Sequence, residues 1–244
     1  ETDANGSPIF KLWFLPKDQF EIMRTWDVAG LRGSGSDDVK ADGAVVPAKY
    51  AGVDLWSVPA HYPNPVYRMP TALRLAYNKA AIAIGVAKGS LEVFADIAQN
   101  KIPMLTSASL ANRGIAQYRM GVAEATFRAS RAWLMETMTA VEDELTGNSD
   151  LPGAKTTQDA RLACTHAANE CMKVVDLLHN TAGTTGMRTY SPLERKLRDS
   201  HGAATHRWVA HPLYEDLGKI LLGIEAGPEF AGGAGTPIGP PGPK

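Results

Sequence analysis

Apolar residues between Ile115 and Leu145 recur at helical spacing. Ile115, Tyr118, Val122, Ala125, Ala129 and Ala132 step 3-4-3-4-3, and Leu134, Met138, Val141 and Leu145 continue in steps of 4-3-4. Steps of three and four keep side chains on one stripe of an α-helix. A helix is therefore expected from Ser107 or Ala108 to about Leu145, with an inward face that shifts once midway. At 1.5 Å per residue it would be the longest in the chain, roughly 55 Å. The preceding run from Pro70 to Asn100 is helix-compatible throughout. Met69-Pro70-Thr71 sets a proline at its start and Lys101-Ile102-Pro103 breaks it. A third helix is expected from a Thr156-Thr157 cap to about Thr181, with Ala163, Ala167, Cys171, Val174 and Leu178 inward and Gly183-Thr184-Thr185-Gly186 ending it. A fourth helical region spans Pro192 to Gly223 with a break near His211-Pro212. Three long helices and a broken fourth, joined by short loops, predict an antiparallel four-helix bundle over residues 70–226.

The first fifty residues read differently. Ile9–Leu15 is a short apolar and aromatic run, Phe20–Val28 alternates loosely, and Val39–Val46 stops at Pro47, so these are expected as strands. The last two are separated by Gly30-Leu31-Arg32-Gly33-Ser34-Gly35-Ser36-Asp37-Asp38, a glycine-rich turn. Residues 51–69, punctuated by Pro59, Pro63 and Pro65, are expected as an irregular linker. Residues 227–244 carry a glycine- and proline-rich composition that buries little apolar surface, and are expected as a disordered tail. The fold class that results is mainly α, with part of a small β-domain over residues 1–50 ahead of the bundle.

Charge removes several function classes. With 25 basic and 26 acidic side chains the net charge is −1, so no overall field draws in a phosphate backbone or an anionic lipid surface. No run approaches the roughly 18 apolar residues of a membrane span. Neither a nucleic-acid nor a membrane role is expected. Cys164 and Cys171 lie seven apart on one predicted helix, roughly 10 Å at 1.5 Å per residue, which is too far for a disulfide. They read as small core residues, no oxidising compartment is required, and a cytoplasmic location is expected. His201, His206 and His211 repeat at fives and so spread over different helix faces, and no H-E-x-x-H pattern occurs, so no metal is expected.

The order of parts, a partial β-domain followed by a four-helix bundle, resembles the acyl-CoA dehydrogenases and the flavin-dependent monooxygenases that share their fold. Three stretches carry the likeness: Thr25 to Val39 (T-W-D-V-A-G-L-R-G-S-G-S-D-D-V), Asn180 to Gly186 (N-T-A-G-T-T-G) and Pro192 to Asp199 (P-L-E-R-K-L-R-D). Within that fold, dehydrogenases of the commonest type carry a glutamate in a Glu-Gly-Thr context shortly after the Arg-Asp pair. Here Ser200 to Trp208 reads S-H-G-A-A-T-H-R-W, with no Glu-Gly-Thr and no carboxylate before Glu215. A histidine seven residues beyond the aspartate resembles the oxygenase components of two-component monooxygenases, of the p-hydroxyphenylacetate hydroxylase type.

That resemblance implies reduced flavin (FMN or FAD) delivered by a separate flavin reductase, oxygenation of a small, aromatic organic substrate, and a homo-oligomer, a tetramer. It also implies about a third more protein before Glu1, which is not a methionine and begins no signal or transit pattern. His206 is the catalytic candidate, because a near-neutral imidazole suits hydrogen bonding at a reacting flavin or deprotonation of a substrate hydroxyl. If it acts so, it should face the Arg32–Ser36 loop. Arg32, Ser34, Ser36 and Gly183 are the cofactor-binding candidates, since glycine-rich backbone allows close approach. Trp26 reads first as an inward aromatic of the β-domain, and Arg198 with Asp199 as a structural ion pair holding a helix start. Asp37 and Asp38 read as solvated turn acids. Two other readings stay open: a dehydrogenase-like flavoenzyme with a displaced base, and a non-catalytic helical subunit.

Overall fold

The computed structural model describes residues 11–50, 52, 61–62, 64–147, 150–224 and 226. Four segments build the bundle: α2 (Thr71–Asn100), α3 (Gly114–Thr146), α4 (Ala154–Ala182) and a broken last arm of α5 (Pro192–Ala204) and α6 (Leu213–Leu221), preceded by a single turn, α1 (Pro65–Arg68). Among the described residues the structure is mainly α, with one antiparallel two-stranded ribbon, β1 (Glu21–Met23) with β2 (Asp38–Lys40), in register Ile22 to Val39. The helix starts and stops follow local chemistry. Pro192 occupies the first turn of α5 while the Ser191 hydroxyl accepts from the Leu193 N–H. Gly183, at φ +60°, turns the chain at the end of α4, a conformation that disfavours a side chain.

Long-range hydrogen bonds fix the up-down-up-down order. Lys101 at the end of α2 donates to the Ala182 carbonyl at the end of α4, and Arg161 near the start of α4 donates to Ala72 at the start of α2, so these two run parallel. Arg68 beside the start of α2 reaches the Leu145 carbonyl at the end of α3, and Arg119 early in α3 reaches Thr181 late in α4, so α3 is antiparallel to both. Helix α4 is the central one, packed against α2, α3 and α5. Ala160, Cys164, Ala167, Ala168, Cys171, Val174, Val175 and Leu178 are almost wholly enclosed. Alanines on α2 (Ala72, Ala76, Ala80, Ala83, Ala87) let it approach closely, and Leu73, Leu91 and Phe94 fill the remaining space. Both cysteines are free and buried, and burial pushes their thiols up to about 12.

Four sequence expectations need correction. The first half of α3 does not bury Ile115, Tyr118, Val122, Ala125, Ala129 and Ala132; this face is exposed, with Tyr118 at 69%. The enclosed stripe runs through Ala116, Ala123, Phe127, Ser130, Leu134, Thr137, Val141 and Leu145 without a midway shift. Ser130 and Thr137 disguise it as polar; Thr137 satisfies its hydroxyl on the Trp133 carbonyl one turn back. At α4 the helix begins at Ala154, and Thr156 does not cap it. Its hydroxyl donates to the Glu144 carboxylate, which also accepts from the Gly153 N–H and so ties the end of α3 to the start of α4. In the β-region the strands are three residues each, shorter than the alternation suggested, and every strand residue is exposed. Within the expected linker, Pro65–Arg68 is helical. The ends of the first expected strand (Ile9 and Phe10), most of the linker and the tail lie outside the described residues.

Candidate active site

The link between the β-ribbon and the bundle is narrow and specific. Gly30 lies so close to α5 that an added Cβ would run into the Arg198 carbonyl. Leu31 donates its N–H to Asp199 Oδ1 at 2.7 Å, and the Arg198 guanidinium donates to the Ala29 carbonyl. Arg198 also grips Glu194 in a two-pronged contact at 2.6 and 2.9 Å, which pulls the Glu194 carboxyl below its ordinary range. Arg198 and Asp199 are thus not a mutual ion pair: each reaches across to the backbone of the Ala29–Leu31 turn. Leu31 itself takes φ +54°, a left-handed conformation unusual for a leucine, and its side chain comes to rest over Gly202.

Beside this clamp a cleft of about 450 Å³ opens between the two parts, in the size range of small-molecule sites. Trp26, Val28, Ala29, Gly30 and Leu31 form one wall; Leu197, Arg198, His201, Gly202 and Thr205 form the other. Trp26 is held by its indole N–H, which donates to the Leu31 carbonyl at 3.2 Å, and by its backbone N–H, which donates to Asp37 Oδ1 at 2.9 Å. The Trp26 amide, with Arg24 at 3.2 Å, keeps the Asp37 carboxyl below its ordinary value, so Asp37 is a structural brace of the loop, not a solvated turn acid. The walls are mostly apolar, with glycine where the backbones approach. A flat aromatic ring fits that chemistry.

Among the cleft-lining residues, two carry ionisable side chains, Arg198 and His201. His201 Nε2 lies 2.8 Å from Asp176 Oδ1 on α4. The sequence offered no signal for this pair, which is separated by 25 residues and joined only because α4 and α5 are antiparallel.

The expected site residues are not gathered into one pocket. His206 follows α5, one residue beyond the cleft-lining Thr205, and is half-buried. Its Nδ1 accepts from the Trp208 N–H at 3.3 Å. Burial, reinforced by the charge of Lys79 on α2, lowers its pKa below the ordinary 6.5, so the neutral imidazole is favoured at neutral pH. Arg32 and Ser34 lie on the exposed one-turn helix that follows Leu31, with Ser36 just beyond, and Ser34 donates its hydroxyl to the Leu31 carbonyl. Gly183 is at the far end of α4, beside Lys101. Among the described residues no cluster of three or more His, Cys, Asp or Glu could hold a metal, and no helix is long and apolar enough to cross a membrane.

The geometry is a helical bundle with a β-ribbon clamped onto its fourth arm and a mostly apolar cleft at the clamp. Residues 77–211, more than half of the chain, match the family described as acyl-CoA dehydrogenase, C-terminal domain. The chain belongs to that family. It is 30% identical over 228 residues to indole-3-acetate monooxygenase of Acinetobacter baumannii, covering 93% of this chain and 57% of that protein. It is 26% identical over 242 residues to the oxygenase component of p-hydroxyphenylacetate 3-hydroxylase of the same species, covering 93% and 55%. The chain therefore spans just over half the length of these relatives. Among solved structures, XiaF from Streptomyces sp., in complex with FADH2 and glycerol, superposes with a TM-score of 0.76 at 20% identity, over 92% of this chain and 59% of that one. At that identity the likeness concerns the fold.

Proposed function

We propose that this chain is the bundle-bearing part of a flavin-dependent monooxygenase, an oxygenase component that uses reduced flavin (FMN or FAD) and dioxygen to hydroxylate a small aromatic substrate. A separate flavin reductase supplies the reduced flavin, and the protein works in the cytoplasm. The observation that carries this reading is the cleft between Trp26–Leu31 and Leu197–Thr205, mostly apolar and backed by glycine, in a chain whose curated relatives are named as oxygenases. When bound there, the flavin would supply the electrons that activate oxygen. The chain's own residues do the rest. The Asp199–Leu31 and Arg198–Ala29 contacts set the wall spacing, Trp26 and Leu31 keep water from one face, and His206, favoured neutral with its Nδ1 accepting from the Trp208 N–H, offers its Nε2–H as a hydrogen-bond donor to the substrate oxygen. Arg32, Ser34, Ser36 and Gly183 are proposed to meet the polar parts of the flavin.

The dehydrogenase alternative needs a carboxylate base, and the first one after Asp199 is Glu215. It stands on α6, mostly exposed and paired with Lys219 at 2.8 Å, away from the cleft lining. Mixing the intact protein anaerobically with reduced FMN or FAD, then adding oxygen with an aromatic acid or phenol, tests the reading. Hydroxylated product is expected, and bleaching of bound flavin by an acyl-CoA without hydroxylation would favour the dehydrogenase instead. The exposed Ile115–Ala132 face of α3 supports self-association, with the tetramer as the proposed state. Sedimentation at micromolar concentration should show an oligomer that Tyr118→Arg weakens; a monomer in both proteins would remove the proposal.

A further inference from the structure

We infer that His201, oriented by Asp176, is a flavin-binding residue of the cleft, hydrogen-bonding the polar edge of the ring through Nδ1. The inference rests on the flavin reading above and deepens it at a residue the sequence set aside. Of the two ionisable side chains on the cleft wall, Arg198 is already engaged by both oxygens of Glu194 and by the Ala29 carbonyl. Thr205 directs its hydroxyl to the Gly202 carbonyl at 3.1 Å. The Trp26 N–H is taken by Leu31. His201 is the cleft side chain with a polar atom left over.

Asp176 determines which atom that is. An ionised carboxylate only accepts, so the nitrogen 2.8 Å from Asp176 Oδ1 is the one that carries a proton in the neutral ring. Nδ1 is then an acceptor in the neutral imidazole and a donor in the imidazolium. A flavin ring presents both N–H and carbonyl or imine groups along one edge and hydrocarbon along the other, so an imidazole at the rim of an otherwise apolar slot selects its orientation. Asp176 sits on the rigid, enclosed α4, whereas His201 is on the shorter α5, so the carboxylate acts as a positioning residue that holds the imidazole still.

The test is equilibrium binding of oxidised and dithionite-reduced FMN and FAD to the intact protein, with the visible absorption band of bound oxidised flavin as a second readout. His201→Ala should weaken binding about ten-fold, the order expected for one hydrogen bond, and shift the band. His201→Gln, whose amide also donates and accepts, should restore most of the affinity. Asp176→Asn, which no longer fixes the protonated nitrogen, should fall between. Circular dichroism of each variant checks that the helices persist, and the glutamine rescue separates ligation from a general loss of packing. Parental affinity and an unshifted band in His201→Ala would overturn the inference while leaving the flavin reading in place. Absence of flavin binding in the parent protein would overturn both.

Discussion

Leu73, Val175 and Leu178 in the bundle are wholly enclosed, whereas Trp13, Phe14 and Val45 in the segment before it expose between 54% and 82% of their surface. The two regions hold their shape by different means. The bundle has a continuous core that spans α2, α3 and α4, so its stability comes from apolar burial. The β-ribbon has no enclosed residue of its own. Its position relative to the bundle depends on a handful of polar contacts to α5 at Ala29, Gly30 and Leu31. The cleft lies at that junction, so its geometry depends on the weaker region while its rigidity depends on the stronger.

The comparison is sharpened most by a core deletion. Leu178→Ala should lower unfolding free energy by about 2–5 kcal/mol, measured by urea denaturation at unchanged slope. A change below about 1 kcal/mol would mean that α4 is not the centre of the core. Next comes Gly30→Ala. The new methyl group has no room against the Arg198 carbonyl, so the ribbon must move off α5. Flavin affinity should fall at least about ten-fold while the bundle's thermal midpoint changes little. Equal losses in both would show that the two regions fold as one unit.

Asp199→Ala should act in the same direction but less strongly, because it removes one charge-assisted hydrogen bond of 2.7 Å and leaves the Arg198 contact. A stability loss of about 1–2 kcal/mol is expected by denaturation, together with weaker flavin binding. His206 should produce a smaller, pH-dependent effect. Its folded pKa lies below the ordinary 6.5 through burial and then Lys79, so below that pH the unfolded chain takes up more protons than the folded one. The stability it contributes is present above 6.5 and declines as pH falls through the folded value. His206→Gln should flatten that decline between about pH 7.5 and 5. In the intact enzyme His206→Ala should cut hydroxylation by about 10²–10⁴-fold and release hydrogen peroxide in place of product. Parental hydroxylation without extra peroxide would remove His206 from the chemistry. Last, breaking the exposed Lys88–Glu92 pair should have no measurable effect on folding or binding.

The helices were legible because each carries its own boundary chemistry. Pro70 and Pro192 start two of them, Pro103 follows the break at Lys101, and His211-Pro212 marks the gap between α5 and α6. The inward face of α4 was also legible, since Ala163, Ala167, Cys171, Val174 and Leu178 are small or apolar at every step. On the first half of α3 two stripes of helical spacing compete. The more apolar one, from Ile115 to Ala132, is outside, because periodicity reports a face and not what lies opposite it. Ser130 and Thr137 are small polar residues on the true inward stripe, and Thr137 bonds its hydroxyl within the helix, so hydropathy undervalued that face.

What the sequence by itself determined is the long helices of the bundle, the mainly α class and the family likeness in Thr25–Val39, Asn180–Gly186 and Pro192–Asp199, all of which depend on contiguous residues. What only the tertiary structure decided is which side chains share a cleft. Arg198 and Asp199 look like neighbours for each other, yet both are drawn across to the backbone of Ala29 and Leu31, some 170 residues earlier. His206 has the family spacing, yet the imidazole on the cleft wall is His201, carried there on α5 and held by Asp176 from α4. A helix fixes which direction each residue points relative to its neighbours in the chain. The element it points toward is set by how whole helices pack, and that depends on the summed burial of the entire core.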